Sequence, residues 1–141
     1  MKRRRAREYA LQYLYRIEFV SSNQNLLNES LETFWQEQKE DKLEVSSFAE
    51  KIIKGTIEHL EKIDKLIETT TFNWRPDRIT TIDRTILRLS IYELLEHKDT
   101  PPAVIIDEAL EIAKKFSTAE SYSFINGILD KISKEKIRIS N

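Results

Sequence analysis

Ile79-Thr80-Thr81-Ile82-Asp83-Arg84-Thr85-Ile86-Leu87-Arg88-Leu89-Ser90-Ile91-Tyr92-Glu93-Leu94-Leu95-Glu96 is apolar almost all the way round a helical wheel. Ile82, Ile86, Leu87, Leu89, Ile91, Leu94 and Leu95 leave no broad polar face. A helix with that pattern belongs inside a bundle, so the spacing predicts the most buried helix of the molecule here.

Working outward, every long patterned stretch has helical period. On the C-terminal side, Thr100-Pro101-Pro102 makes a turn and Ala103 to Phe116 is amphipathic. Ser117-Thr118-Ala119-Glu120 then has capping-box spacing, which expects the Ser117 hydroxyl on a free backbone N–H and Glu120 reaching back. The last helix runs to about Ser133 with Ile125, Ile128, Leu129 and Ile132 inward, followed by a frayed tail to Asn141. On the N-terminal side, Asn73-Trp74-Arg75-Pro76 is a break, because Pro76 disfavours helix at Arg75. Before it lie a helix from about Ser46 to Glu68, an acidic one from about Leu26 to Lys39, and a first helix from about Arg3 to Val20, closed by Ser21-Ser22-Asn23. Gly55 falls on the buried side of its helix, where close helix packing is the expected reason for it. With two glycines, three prolines and no strand-like alternation, the expected class is all-α. The chain reads as a single domain of two helical halves, about 1–73 and 74–141.

The 141 residues contain no cysteine, which excludes disulfides and thiolate chemistry. No apolar run approaches the ~20 residues that cross a bilayer, and no signal-like stretch opens the chain, so a cytoplasmic location is expected. Charge is unevenly placed. From Met1 to Arg16 six Lys/Arg face the single acid Glu8, whereas the whole chain sums to −1. Arg3, Arg4, Arg5 and Arg7 therefore form the footprint of a polyanion-binding arm. A helix N-terminus disfavours cations by ~0.3–1 kcal/mol each, so another force must favour them there. A plain solubilising terminus, with Arg7 paired to an acid, is the competing account. In the last helix, Glu120, Phe124, Gly127 and Lys131 share an outward stripe. Its ring and its mid-helix glycine suit either another packed helix or a stacking platform for an unpaired base.

Catalytic readings fare poorly. His59 projects onto the side of Ile52 and Ile63 and is expected to be a satisfied core residue. Glu93 and His97 are spaced as an exposed pair, and Asp107, Glu108 and Glu111 as a solvated face. No second histidine completes a metal set, no glycine-rich phosphate loop is possible, and no nucleophile motif occurs, so no enzyme, metal or cofactor is expected.

Three blocks carry a family resemblance: Arg3-Arg4-Arg5-Ala6-Arg7-Glu8 with Leu14-Tyr15; Ile86 to Leu94; and Pro102 to Phe116 leading to Ser123-Phe124-Ile125-Asn126-Gly127-Ile128-Leu129-Asp130-Lys131. The chain resembles the NusB family of bacterial transcription antitermination factors over nearly its full length. Ser117 departs from the pattern, since similar proteins often have glycine there. The resemblance implies an all-α fold of two small packed bundles, about seven helices, without catalysis or cofactor. It also implies binding of single-stranded boxA RNA from ribosomal RNA leaders, together with the small-subunit ribosomal protein NusE, on antiterminating RNA polymerase. By position it implies RNA contacts at Arg3, Arg4, Arg5, Arg7, Tyr15, Glu120, Phe124 and the nearby Lys131, and a NusE surface near Asp83 and Arg84. A homodimer of the free chain is left open. Two rival readings remain: a helical protein–protein adaptor without RNA, and an RNA-binding module related to ribosomal RNA methyltransferases, against which the chain's ending at Asn141 argues.

Overall fold

The computed structural model describes residues 2–18, 24–71, 79–96 and 99–140, with 24–30 and 136–140 described by backbone alone. Seven helices make up these residues: α1 (Lys2–Glu18), α2 (Gln24–Glu37), α3 (Leu43–Glu58), α4 (Leu60–Thr70), α5 (Thr81–Glu96), α6 (Pro102–Phe116) and α7 (Ala119–Ser140). The expected breaks at Ser21–Asn23 and Asn73–Pro76, the inward Leu27 side chain and His97 lie outside the description. None of the described helices is long and apolar enough to cross a membrane.

α5 is the central element and packs against α1, α3, α4, α6 and α7. Ile86, Leu87, Leu89 and Ile91 are fully enclosed. Each such side chain contributes ~1.5–3 kcal/mol relative to exposure. The helix begins at Thr81 rather than Ile79 because Thr80 caps it: its hydroxyl accepts from the Asp83 N–H (3.2 Å) and its carbonyl from the Arg84 N–H (2.9 Å). α1 lies along α3 and α5 and buries Ala6, Ala10, Leu11, Tyr13 and Leu14. Phe34 of α2 meets the Tyr9 and Tyr13 rings edge-on, at 6.2 and 5.5 Å. One hydrophobic cluster runs through all seven helices.

The expected single helix over Ser46–Glu68 is two. At His59 the backbone leaves helical geometry (φ −104°, ψ 17°), and Nδ1 lies 2.8 Å from the Gly55 carbonyl. That oxygen can only accept, so the ring donates to the ladder it interrupts, a side-chain competition that ends helices. His59 is thus a half-buried junction residue, its Nε2 3.6 Å from Glu96, rather than a core one. Gly55 meets its expectation: a Cβ there would collide with the Tyr92 ring.

The start of α7 differs from the capping-box expectation. Thr118 is the cap: its hydroxyl accepts from the Ser121 N–H (3.1 Å) and its carbonyl from the Tyr122 N–H. The Ser117 hydroxyl donates instead to Asp83 at 2.6 Å. α7 also continues to Ser140, past the expected end near Ser133.

Candidate nucleic-acid interface

The cations at the start of α1 are held by carboxylates from elsewhere in the chain. Lys2 pairs with Glu44. Arg4 grips Glu108 of α6 with two bonds, Nε–Oε2 2.7 Å and Nη2–Oε1 3.0 Å. Arg5 Nη2 donates to Glu40 at 2.9 Å. Arg3 lies 4.9 Å from the Phe48 ring centroid and donates weakly to Thr100 Oγ1 at 3.4 Å. These contacts supply the missing force that offsets the unfavourable helix dipole.

Three of the pairs share an orientation that decides what the surface presents, while Lys2 and Glu44 are about equally exposed. Side-chain exposure is 39% for Arg4 against 11% for Glu108, 43% for Arg5 against 5% for Glu40, and 63% for Lys115 against 17% for its partner Glu8. The carboxylate is recessed and the cation stands outward, so an approaching ligand meets positive charge first. Glu108 and Glu40 are held ionised. The hydrogen bond from Arg4 keeps Glu108 below the ordinary carboxylate range. Burial pushes Glu40 up, but bonds from Arg5, the Lys42 N–H and Tyr9 outweigh it and hold that carboxyl low as well.

Several expected site residues need correction. Arg7 is only 3% exposed and donates twice to the buried Glu93, each bond 2.8 Å. It is a structural cation inside the bundle, not a phosphate contact, and Glu93, expected to be exposed, is buried. Glu108 likewise leaves the supposed solvated face of α6. Asp83 is buried, accepting from Ser117 Oγ (2.6 Å) and Ser121 Oγ (2.5 Å). It clamps α5 to the α6–α7 turn and offers no surface to a partner. Arg84 is half-buried, with a 3.4 Å bond from Nη2 to the Ile79 carbonyl.

The remaining residues lie at the surface. Tyr15 is exposed on α1, about 18 Å along the axis from Arg3. On α7, Glu120, Gly127 and Lys131 are exposed, and Phe124 is half-buried against the core without being enclosed. A Cβ on Gly127 would meet nothing within 4 Å, so among the described residues nothing packs against that position.

Reading the sequence did not reach Lys114, Lys115, Phe116 and Tyr122. A cleft of about 330 Å³ between α1 and α6 is lined by Arg4, Glu8, Glu111, Ile112, Lys114 and Lys115. A second, of about 340 Å³, is lined by Lys114, Ser117, Thr118, Ala119 and Tyr122. Two lysines in a last helical turn are what the dipole alone would favour, and so gave no distinct signal.

Residues 4–134 match the profile of the NusB family. The chain belongs to the NusB family. A relative from Thermodesulfovibrio yellowstonii, named transcription antitermination protein NusB, is 51% identical over 143 residues, covering 97% of this chain and 95% of its own. Among solved structures, T. maritima NusB is 40% identical with a TM-score of 0.83, covering 94% of this chain and 91% of that one. A structure of antitermination factors NusB and NusE in complex with dsRNA is 27% identical with a TM-score of 0.82, covering 95% and 97%. The NusB fold is therefore present at nearly full length.

Proposed function

We propose that this chain is a non-catalytic transcription antitermination factor. It binds single-stranded boxA RNA of ribosomal RNA leaders with a NusE partner, on RNA polymerase that it keeps from terminating early. Family membership and the names of its relatives support this reading. The observation that carries it is the row of outward cations over recessed carboxylates on α1. Arg3, Arg4 and Arg5 follow the phosphates, a contribution blind to sequence. Preference among bases then rests on Tyr15, Phe124 and neighbouring polar groups, which stack on and hydrogen-bond splayed bases. Glu120 repels phosphate and Lys131 attracts it, so the α7 stripe orients the strand more than it holds it. Arg84 serves the NusE side, with Asp83 fixing the turn beside it.

The test is RNA affinity across a salt series, alone and with NusE. Three engaged arginines predict a log–log slope near −2, about twentyfold weaker binding between ~50 and ~200 mM salt. Replacing Arg3, Arg4 and Arg5 together by glutamine should flatten the slope and leave helicity in place. The adaptor reading has one observation in its favour, since Lys2, Arg4 and Arg5 already hold carboxylates. It is preferred if NusE binds and RNA does not, at any salt concentration.

A further inference from the structure

The C-terminal end of α6 and the first turn of α7 carry a surface that neither the arginine arm nor Phe124 accounts for. Lys114 Nζ stands 5.3 Å from the centroid of the Tyr122 ring, and Lys115 Nζ 5.4 Å from that of Phe116. Both lysines and Phe116 are exposed, and Tyr122 is half-buried. The two clefts share Lys114 and adjoin at that side chain, making a two-part trough with Arg4 and Lys115 on one side of Lys114 and Tyr122 on the other. Tyr122 lines the second cleft and the exposed Phe116 stands beside Lys115, so each lysine has a ring next to it, and cations with rings are the composition that holds an unpaired strand.

Helical geometry separates this trough from the Phe124 stripe. Residues 122 and 124 leave α7 about 160° apart, on opposite flanks. Lys114, which lines the first cleft with Arg4, also stands over Tyr122 of α7. A strand lying along the arm towards α7 is thus led onto the Tyr122 flank, whatever occupies Phe124.

We propose that the trough is a second RNA-contacting segment for single-stranded RNA, with Lys114 and Lys115 on phosphates and Phe116 and Tyr122 as stacking platforms. This rests on the RNA-binding reading above. Each ammonium now lies over a ring face that a base would take. Displacement by a base leaves the flexible lysine free to swing to the adjoining phosphate. Glu8 and Glu111, which pair with Lys115 (2.6 Å) and Lys114 (3.3 Å), compete with that phosphate. The net charge of the trough is therefore small, and stacking must supply most of its affinity. Paired bases cannot stack on the rings, so a duplex gains little here.

The experiment titrates a labelled single-stranded RNA of about twelve nucleotides, and its duplex, into the full chain by fluorescence anisotropy. Tyr122→Ala and Phe116→Ala should each weaken single-strand binding about five- to 150-fold, Tyr122→Phe should restore it, and duplex binding should hardly change. Lys114→Ala with Lys115→Ala should reduce the salt slope by about 1.4, the share that these two phosphate contacts add to that of the three arginines. Melting curves show whether a variant remains folded; a destabilised Tyr122→Ala leaves the decision to the lysine pair and Tyr122→Phe. Wild-type affinity in the folded alanine variants, with the Arg3/Arg4/Arg5 variant still deficient, overturns the inference and leaves the function standing. Loss of NusE binding without loss of RNA binding makes the trough a protein-docking face and overturns it equally. No RNA binding by the wild-type chain removes the function and the inference together.

Discussion

Arg7 shows how far one side chain's role depends on what it reaches. Within the arginine cluster it is chemically equivalent to Arg4, yet helical phase turns it inward, where Glu93 receives both of its bonds at 2.8 Å. A buried pair contributes little net stability, because desolvation cancels much of the attraction, but half of one is costly. Arg7→Ala or Glu93→Ala should each lose about 3–5 kcal/mol in denaturant unfolding. Arg7→Met with Glu93→Leu should recover most of that loss. An Arg7→Ala protein as stable as the parent would contradict the burial described here. Tyr13 gives a second test. Burial pushes its phenol up to about 12, against the Arg16 charge that lowers it. The folded value lies above the unfolded one near 10, so the neutral phenol favours the fold. Its contribution is complete below pH ~10 and disappears as pH rises towards 12. Tyr13→Phe should therefore show a shallower fall in melting temperature across that alkaline window.

At the scale of elements, the two glycines separate packing from exposure. Both lie in helices without positive φ, where alanine is intrinsically better by ~1 kcal/mol. A Cβ at Gly55 would collide with the Tyr92 ring, which is itself buried and lies 5.8 Å from His59. Gly55→Ala should destabilise by about 1–3 kcal/mol through overpacking. Gly127→Ala enters open space and should stabilise by about 0.5–1 kcal/mol, so thermal melts of the two variants should move in opposite directions. These elements also show what periodicity conveys. α5 was legible because an apolar pattern on every side has one solution, burial. The helix break at His59 was not, since both flanking segments keep the same apolar phase and the ring-to-carbonyl bond is a local event. Ser117 and Thr118 are equally good caps by composition. The choice falls to Thr118 because Asp83, far off in sequence, takes the Ser117 hydroxyl. The arm was legible as charge, but the carboxylates that organise it were not. Glu40, Glu93 and Glu108 stand 35, 86 and 104 residues from their arginines, and a helical wheel assigns a face without naming what crosses it.

Across the whole molecule, these pairs tie the basic end of α1 to acids that precede or begin α3 and to α6, so proton concentration acts on the arm and the fold together. Glu40 and Glu108 are held below the carboxylate value of 4.5, as is Glu44, whose first cause is the Lys2 hydrogen bond. A depressed folded value means that the ionised form favours the native state. The contribution is present above ~4.5 and is lost as pH falls through the lowered values. Stability should therefore be level from neutral pH to about 5 and then fall steeply, as the pairs fixing the arm are protonated. Glu40→Gln with Glu108→Gln should be less stable at neutral pH and show a flatter acid limb, because the groups that bind protons on unfolding have been removed. Melting temperature against pH for the two proteins measures this directly. Parallel curves would mean that the recessed carboxylates do not couple the arm to the bundle, and the outward presentation of Arg4 and Arg5 would then need another cause. A flatter limb in the variant, with RNA affinity at neutral pH retained or increased, would place the carboxylates as positioning groups that a phosphate strand must compete with rather than as parts of the binding surface.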